Sequence, residues 1–257
     1  MAKIRLNRQK EYKQLLRLLL TLSNSVRKDI RNLFYKYRDI TSKEFIKNQD
    51  ISSETFTRFQ TELTKIFDRS TRRIMETMKD RIQKQRMQKQ DDTIDPIITQ
   101  YSSQFSAMNV SNITETTRAS LKLEISRGLD TGQEINTIAK NIEKSVAFSL
   151  WRSTMIARTE THQAMNFGNQ EIIKNLGLSR PIKEWASAVD ERTRSWHKNM
   201  NLMQVDADKD FLVMTPVSGG GFVEKPMAYP GDMKGGASNV INCRCFTFNY
   251  DADDLVD

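Results

Sequence analysis

The sequence is poor in cysteine and histidine, with two of each in 257 residues, and it has no long apolar run. Two cysteines separated by one residue cannot form a disulfide framework, so we expect synthesis in a reducing cytoplasm. The leucine-rich stretch 15–20 is interrupted by Arg17, falls short of the roughly 20 residues that cross a bilayer, and lacks a signal-peptide cleavage site. A mean hydropathy of −0.60 agrees with a soluble protein that has no membrane partner.

Motifs of several enzyme classes are also missing. The glycine cluster at 219–221 has neither the lysine nor the helix of a phosphate loop after it. The chain also contains no nucleophile elbow of the kind that α/β-hydrolases carry. Any enzymatic interpretation must therefore depend on residues outside these motifs.

Charge is distributed unevenly along the chain. Residues 1–90 hold 23 lysines and arginines against 10 acidic residues, whereas residues 91–257 hold 17 against 22. Such an asymmetry indicates an anionic partner for the N-terminal part, such as non-specific double-stranded DNA, or equally a long helix with a solvated basic face. The candidate nucleic-acid-binding residues are Lys65, Arg69, Arg72, Arg73, Lys79, Arg81, Lys84 and Arg86.

Apolar residues recur every three or four positions through the first ninety residues, which is the spacing of one face of a helix. One stripe extends from Leu15 to Tyr37 and a second from Phe56 to Ile82. Thr41 and Glu44 have the spacing of a capping box, which predicts the start of a new short helix, and Ser53 predicts another start. The stripes fit an antiparallel helical hairpin with its own core, or equally two helices that dock on a partner.

The later sequence predicts more helix and then short strands. Gly128 is the expected end of one helix, and helical periodicity stops after Pro181. Beyond it, β-prone runs at 182–189, 210–216 and 243–250 alternate with turn formers. The fold class is therefore α+β, with mainly helical N-terminal two thirds and a small antiparallel α+β unit at the C-terminus.

Composition also predicts a division of the chain into consecutive regions. The acidic run before Pro96 follows a basic run and marks a soft boundary near residue 92. The expected regions are a basic helical hairpin at 1–92, a helical region at 93–180, the α+β unit at 181–250 and an acidic, frayed tail at 251–257.

The most distinctive stretch extends from Trp185 to His197, and its companion is the segment 242–245 that holds both cysteines. The apolar run from Trp185 predicts a short buried strand that ends at Asp190. Asp190 would then cap a helix over 191–198. An acid, two arginines and one of the two histidines are therefore expected to meet at one strand-to-helix corner.

Short motifs follow one another through the second half of the chain. They are Ala157-Arg158-Thr159-Glu160, Asn166, Trp185, Asp190-x-Arg192-Thr193, His197, Tyr229-Pro230-Gly231 and Asn242-Cys243-Arg244-Cys245. In this order they resemble the phage head morphogenesis family typified by the phage Mu F minor head protein, over roughly residues 149–250. The resemblance implies that these residues form a structural motif of that family's domain.

The resemblance also implies a function. It indicates a non-enzymatic minor head protein, made in the host cytoplasm and located in the virion, inside the capsid near the portal vertex. There it would act in procapsid assembly and in DNA packaging or delivery. The expected partners are the portal protein, with the major capsid protein or a scaffolding protein as further candidates, and non-specific DNA through the basic half.

An enzymatic alternative is a small nuclease-like or zinc-assisted hydrolase centred on His197. His197 would be the acid or base, Asp190 would orient it, and Arg192 or Arg244 would hold a phosphate. No second general acid stands out. We therefore favour an ion-pair and capping network that fixes the turn.

The cysteines raise the question of a metal. Alternation along a strand would place Cys243 and Cys245 on one face, where His197 could join them as a third zinc ligand. Many members of the family carry Cys-x-x-Cys where this chain has Arg194 and His197, so one candidate ligand is replaced by a cation. We therefore expect the cysteines to pack as small hydrophobic residues without a cofactor, with zinc at His197, Cys243 and Cys245 as the alternative.

Overall fold

The computed structural model describes residues 7–86 and 94–254. The helices are α1 (Arg8–Asn48), α2 (Ser53–Arg86), α3 (Ile94–Tyr101), α4 (Ala107–Asp130), α5 (Ile135–Lys144), α6 (Leu150–Lys174), α7 (Ser195–Asn199) and α8 (Ala237–Val240). The strands are β1 (Pro181–Ala186), β2 (Gln204–Asp206), β3 (Phe211–Pro216), β4 (Phe222–Met227) and β5 (Phe246–Asp251). Long helices followed by short antiparallel strands confirm the α+β prediction. Within these ranges no helix has both the length and the apolarity that crossing a bilayer requires.

The chain forms two compact units, and neither is a continuous segment. The first contains the described residues of Met1–Leu22, Thr71–Tyr101 and Arg158–Asp257, and the second contains Ser23–Ser70 and Ser102–Ala157. Helices α1, α2 and α6 therefore each contribute residues to both units. The predicted boundary near residue 92 lies outside the described residues.

The second unit is helical and buries the middle of both predicted apolar stripes. Its core combines side chains from α1 and α2 with others from α4, α5 and the start of α6. Its buried members include Ile30, Phe34, Phe59, Leu63, Leu121, Ile138 and Ile156. The middle of each stripe therefore packs inside the chain, but in a core that α1 and α2 share with three further helices and do not form as a separate hairpin.

The capping box predicted at Thr41 is wrong, because α1 continues through it. Thr41 is buried, and its hydroxyl donates to a backbone carbonyl one turn earlier at 2.7 Å. The Glu44 carboxylate instead accepts hydrogen bonds from the Ser52 N–H at 3.0 Å and the Thr55 hydroxyl at 2.6 Å. Ser52 Oγ accepts from the Thr55 N–H at 3.3 Å, so Ser52 caps α2 in place of the predicted Ser53.

Gly128 does not end a helix as predicted, because α4 continues to Asp130. A Cβ at this position would lie 2.4 Å from Cγ1 of Ile138. Glycine is therefore required here so that α4 and α5 can approach closely. Thr131 stands at the end of the helix, where its hydroxyl donates to the Arg127 carbonyl at 2.7 Å.

The first unit contains two small antiparallel sheets. In one, β1 is the central strand between β2 and β5, and in the other, β3 pairs with β4. The predicted runs at 182–189, 210–216 and 243–250 contain most of β1, β3 and β5, whereas β2 and β4 were not predicted. The antiparallel arrangement itself is confirmed.

The predicted acidic tail begins too early. Asp251 is the last residue of β5, and its carboxylate accepts hydrogen bonds from the N–H of Ser179 at 2.8 Å and from its hydroxyl at 2.9 Å. These bonds hold the end of the strand against the segment before β1. Residues 255–257 lie outside the described part of the chain.

A buried carboxylate joins the start of α1 to the central strand. Glu184, which is 0% exposed, accepts two hydrogen bonds from Arg8 at 2.7 and 2.8 Å. Gln204 and the Tyr250 hydroxyl donate two more, at 2.8 and 3.0 Å. Burial alone would raise the pKa of Glu184, but the hydrogen bonds, foremost those from Arg8, hold it below its ordinary value.

We predict that this carboxylate makes stability depend on pH. Because its pKa is lowered by folding, its contribution is complete above the ordinary value of 4.5 and is lost as pH falls through the lower folded value. Glu184→Gln should lower the free energy of unfolding at neutral pH by about 1.5–3 kcal/mol. It should also flatten the decline of that free energy in acid. Urea denaturation followed at a series of pH values measures both effects.

The exposed Glu191 offers a matched control, since Glu191→Gln makes the same change without removing a buried hydrogen bond. That variant should keep the wild-type dependence on pH. If Glu184→Gln and the wild-type protein lose stability equally in acid, the buried carboxylate is not the cause.

Candidate functional site

Asp190 and Arg244 form a bidentate salt bridge, with Asp190 in the stretch between Trp185 and His197 where the sequence predicted a strand-to-helix corner. Arg244 Nη1 donates to Oδ2 of Asp190 at 3.0 Å and Nη2 to Oδ1 at 2.8 Å. The Thr193 hydroxyl donates to the same carboxylate at 2.8 Å. Burial acts to raise the pKa of Asp190, but the hydrogen bonds from Arg244 and Thr193 outweigh it and lower that pKa. The pair fixes the loop after β1 to the segment before β5.

Asp190 does not cap a helix, contrary to the sequence prediction. β1 already ends at Ala186, and α7 begins only at Ser195, so the first turn of the predicted helix is absent. Arg194 occupies the N-cap position without a side-chain cap, and its guanidinium donates to the Ile241 carbonyl at 2.6 Å. The prediction was wrong because both carboxylate oxygens of Asp190 accept hydrogen bonds from the side chains of Thr193 and Arg244. Arg244 belongs to a distant segment of the chain.

Arg192 lies in the turn before α7 and is exposed. Within the described residues it forms no hydrogen bond or ion pair. The structure therefore brings Arg244 to Asp190 and leaves Arg192 outside the network.

His197 is buried, and its two ring nitrogens face different groups. Nε2 lies 3.0 Å from Oδ1 of Asn239. Because the amide nitrogen of Asn239 donates two hydrogen bonds of its own, its oxygen is an acceptor and Nε2 carries the proton. Nδ1 then presents its lone pair to the sulfur atoms of Cys243 and Cys245, each 3.6 Å away.

The two cysteines precede β5 and lie in a segment of irregular backbone, so the strand on which their alternation was predicted is absent there. Their placement on one side nevertheless holds, since both sulfur atoms and a nitrogen of His197 lie within 4.8 Å of one another. The interaction between the two buried thiols lowers the pKa of Cys243 and raises the pKa of Cys245. The Trp185 ring packs edge-on against His197, with 5.4 Å between centroids.

One face of α6 makes hydrogen bonds to the segment that contains Cys245 and Thr247. Nε2 of His162 donates to the Cys245 carbonyl at 2.6 Å. The Asn166 amide donates to that carbonyl at 3.3 Å and accepts from the Thr247 N–H at 3.2 Å. His162 and Asn166 are four residues apart and therefore lie on the same face of α6. The structure shows that this face is buried.

The Arg158 and Glu160 motif belongs to the same helix. The Thr159 hydroxyl between them accepts from the Asn242 N–H at 3.1 Å, and Arg158 Nη1 lies 3.5 Å from Oδ1 of Asn242. Glu160 is partly exposed. The helix thus supports the turn at Asn242, which has a positive φ of 57°.

The Tyr229-Pro230-Gly231 motif packs against His162. Gly231 has a φ of 91°, and a Cβ there would lie 2.7 Å from Nδ1 of His162. Both the backbone conformation and the close approach therefore require glycine. Sequence reasoning had no account of this motif, because its partner lies on a helix far away in the chain.

The arrangement that the hydrolase alternative requires is not formed by Asp190 and His197. Asp190 pairs with Arg244, whereas His197 is held by Asn239 and the cysteines, so Asp190 does not orient the imidazole. His197 is also only 1% exposed. Asn239, which sequence reasoning missed, is 0% exposed and also accepts from the Trp196 indole N–H at 2.7 Å.

The candidate DNA-binding residues all lie on α2, but their surroundings differ. Arg81 is largely buried and pairs with Glu11, so it is held within the fold. Arg69 pairs with Asp29 and Arg72 with Asp95, although both arginines are more than half exposed. Lys65, Arg73 and Lys84 are exposed, Lys79 is partly buried, and the Arg86 side chain lies outside the described part.

Comparisons with known proteins bear on the same region. The model of the family described as "Phage Mu protein F like protein" matches residues 119–248, just over half of the chain. The chain is 29% identical over 129 residues to Minor head protein GP7 of Bacillus phage SPP1, covering 49% of this chain and 38% of that protein. It is 30% identical over 123 residues to the NAD(+)--arginine ADP-ribosyltransferase EFV of Enterococcus faecalis (strain ATCC 700802 / V583), covering 47% and 23%. The chain thus spans well under half the length of these curated relatives, and no solved structure matches it significantly.

We predict that the ion pair is the main stabilising contact of the corner. Asp190→Ala leaves the guanidinium of Arg244, only 16% exposed, without its carboxylate. The free energy of unfolding should fall by about 1.5–3 kcal/mol, nearer the lower figure because Asp190 is 39% exposed. Arg192→Ala, two residues away and exposed, should change it by less than about 0.5 kcal/mol. Thermal unfolding of the two variants checks this, and equal effects would contradict the assignment.

Proposed function

We propose, because this chain belongs to the Phage Mu protein F like family, that it acts as a minor head protein of a phage. The matched range includes all the motif residues from Arg158 to Cys245. Its similarity to Minor head protein GP7 of Bacillus phage SPP1 supports the same assignment.

The observation that supports a structural role is what the motif residues do. Asp190 and Arg244 bind each other, His162 binds the Cys245 backbone, and Gly231 allows His162 to pack. Each contact joins segments that are distant in the sequence, and none presents a free reactive group to solvent. A domain of this construction suits assembly of a particle better than turnover of a substrate.

The finer part of the proposal concerns location. We place the protein inside the head near the portal vertex, where it supports procapsid assembly and DNA packaging or delivery. The portal protein is the first expected partner, and the major capsid protein or a scaffolding protein the next. Family membership is the support for this step.

Particles made with and without the portal test it. The encoding phage and a mutant that lacks the portal gene would each be grown, and the amount of this chain per major capsid protein would be measured by mass spectrometry. The chain should be present in complete procapsids and fall to background in particles without a portal. Equal amounts in both would contradict the portal assignment, while absence from both would contradict the minor head role itself.

Non-specific DNA contact is the second finer proposal. It is supported by the excess of basic residues in 1–90 and by the exposed positions of Arg72, Arg73 and Lys84 on α2. Arg81 is not part of this proposal, because it is only 18% exposed and is held by Glu11, whereas Arg72 stays more than half exposed beside Asp95. Contact of this kind would hold DNA without reading its sequence.

Charge reversal tests the DNA contact. Replacing Arg72, Arg73 and Lys84 by glutamate should weaken binding to any duplex and lower the slope of log K against log salt by about 2–3, since each lost phosphate contact contributes about 0.9. A fluorescence anisotropy titration at several salt concentrations measures both. The control reverses three exposed lysines elsewhere, namely Lys122, Lys140 and Lys144. If the control weakens binding equally, overall charge is responsible and α2 is not the contact surface.

The hydrolase alternative has less support. Its central residue, His197, is buried and bound on both sides, so a substrate has no access to it. The similarity to the ADP-ribosyltransferase covers 23% of that protein, and the activity in its name concerns that protein alone.

A further inference from the structure

We propose that His197, Cys243 and Cys245 bind a zinc ion, which links α7 to the segment before β5. Sequence reasoning had favoured simple packing of the cysteines. The proposal concerns the fold of the domain and is independent of its role in the head.

The two distances from His197 to the cysteine sulfur atoms fit tetrahedral zinc. With Zn–S of about 2.3 Å and Zn–N of about 2.0–2.1 Å, a tetrahedral angle places nitrogen and sulfur about 3.6 Å apart. Nδ1 of His197 lies 3.6 Å from each of the two sulfur atoms. His197 is therefore spaced from both sulfur atoms as a shared zinc ion requires, and all three ligand atoms lie within 4.8 Å of one another.

The orientation of the imidazole is also fixed as a metal site requires. Asn239 accepts the Nε2 proton of His197, which leaves the Nδ1 lone pair directed to the sulfur atoms. A metal-bound histidine usually donates its other N–H to an oxygen in this way. Asn239 itself is held by Thr215 and Gly235, so it cannot turn its amide without losing two hydrogen bonds.

A buried polar group beside the cysteines has no ordinary partner. The indole N–H of Trp185 is buried and makes no hydrogen bond of normal geometry to any described residue, yet it lies next to Cys245. A zinc-bound thiolate is a far better acceptor for this N–H than a neutral thiol. The metal-bound form therefore provides a hydrogen-bond acceptor for the buried N–H of Trp185.

Charge and ligand number agree with this set. Two thiolates and a neutral imidazole balance the two positive charges of zinc, so the occupied cluster is buried without net charge. Arg194, at the start of α7, is directed to the Ile241 carbonyl and adds no charge to the ligand set. The described residues supply three ligands, so a fourth ligand would have to be water or another small donor.

Metal content of the untagged full chain is the first test. Protein purified without chelators should contain about one zinc per chain by elemental analysis. Replacement by cobalt(II) should give the visible bands of a tetrahedral site and thiolate-to-metal charge transfer. His197→Gln and the Cys243→Ala/Cys245→Ala double variant should each lose the metal and the spectrum.

Loss of fold must be distinguished from loss of a ligand. Asp190→Ala weakens the same corner but removes no ligand, so it should keep zinc at the wild-type ratio. A chelator should lower the melting temperature of the wild-type protein by several degrees and leave that of the double alanine variant unchanged. Folded wild-type protein that contains no zinc, takes up no cobalt and melts unchanged with chelator would overturn the proposal.

Discussion

The direction of three consecutive side chains, at residues 243–245, is the constraint on which the C-terminal part of this protein depends. Cys243 and Cys245 face His197, while Arg244 reaches Asp190 on the loop after β1. The backbone between them is also used, since Tyr12 donates to the Arg244 carbonyl at 3.0 Å and His162 to that of Cys245. Helices α1 and α6, α7 and the loop at Asp190 thus all meet one short segment, and its conformation sets their positions.

Two buried charged residues in β1 are a second constraint on this part of the fold. Glu184 and Lys183 are both buried, although their sequence has the character of a surface strand. Lys183 donates to the Ala228 carbonyl at 2.7 Å, and burial lowers its pKa to about 8. Groups of this kind are tolerated inside a protein only when their partners are held in place. The partners of these two residues lie on α1, β2, β5 and the segment after β4, so those elements have to be positioned accurately around β1.

Local sequence patterns predicted those features that depend on local geometry. Apolar periodicity predicted helices α1 and α2 because each turn of a helix repeats the same burial. The zinc alternative placed His197 beside Cys243 and Cys245, and the structure brings these three side chains together. Features decided by distant partners were missed: Asp190 was assigned to a cap because Arg244, 54 positions away, could not be placed. Asn239 gave no signal, since an isolated asparagine before a turn is ordinary until its histidine partner is known.

The acid Asp190, the arginine Arg244 and the histidine His197 belong to residue types that occur both in active sites and in stabilising networks. In this protein Asp190 cannot fulfil both roles. A base needs an acid that orients it and a surface open to substrate. Asp190 cannot serve His197 while both its oxygens bind Arg244, and releasing it would leave a mostly buried guanidinium without a counter-charge. That loss is costly, because a charge removed from water must be compensated by a partner. The ion pair therefore joins the loop after β1 to the segment before β5, and Asp190 is not available to orient His197.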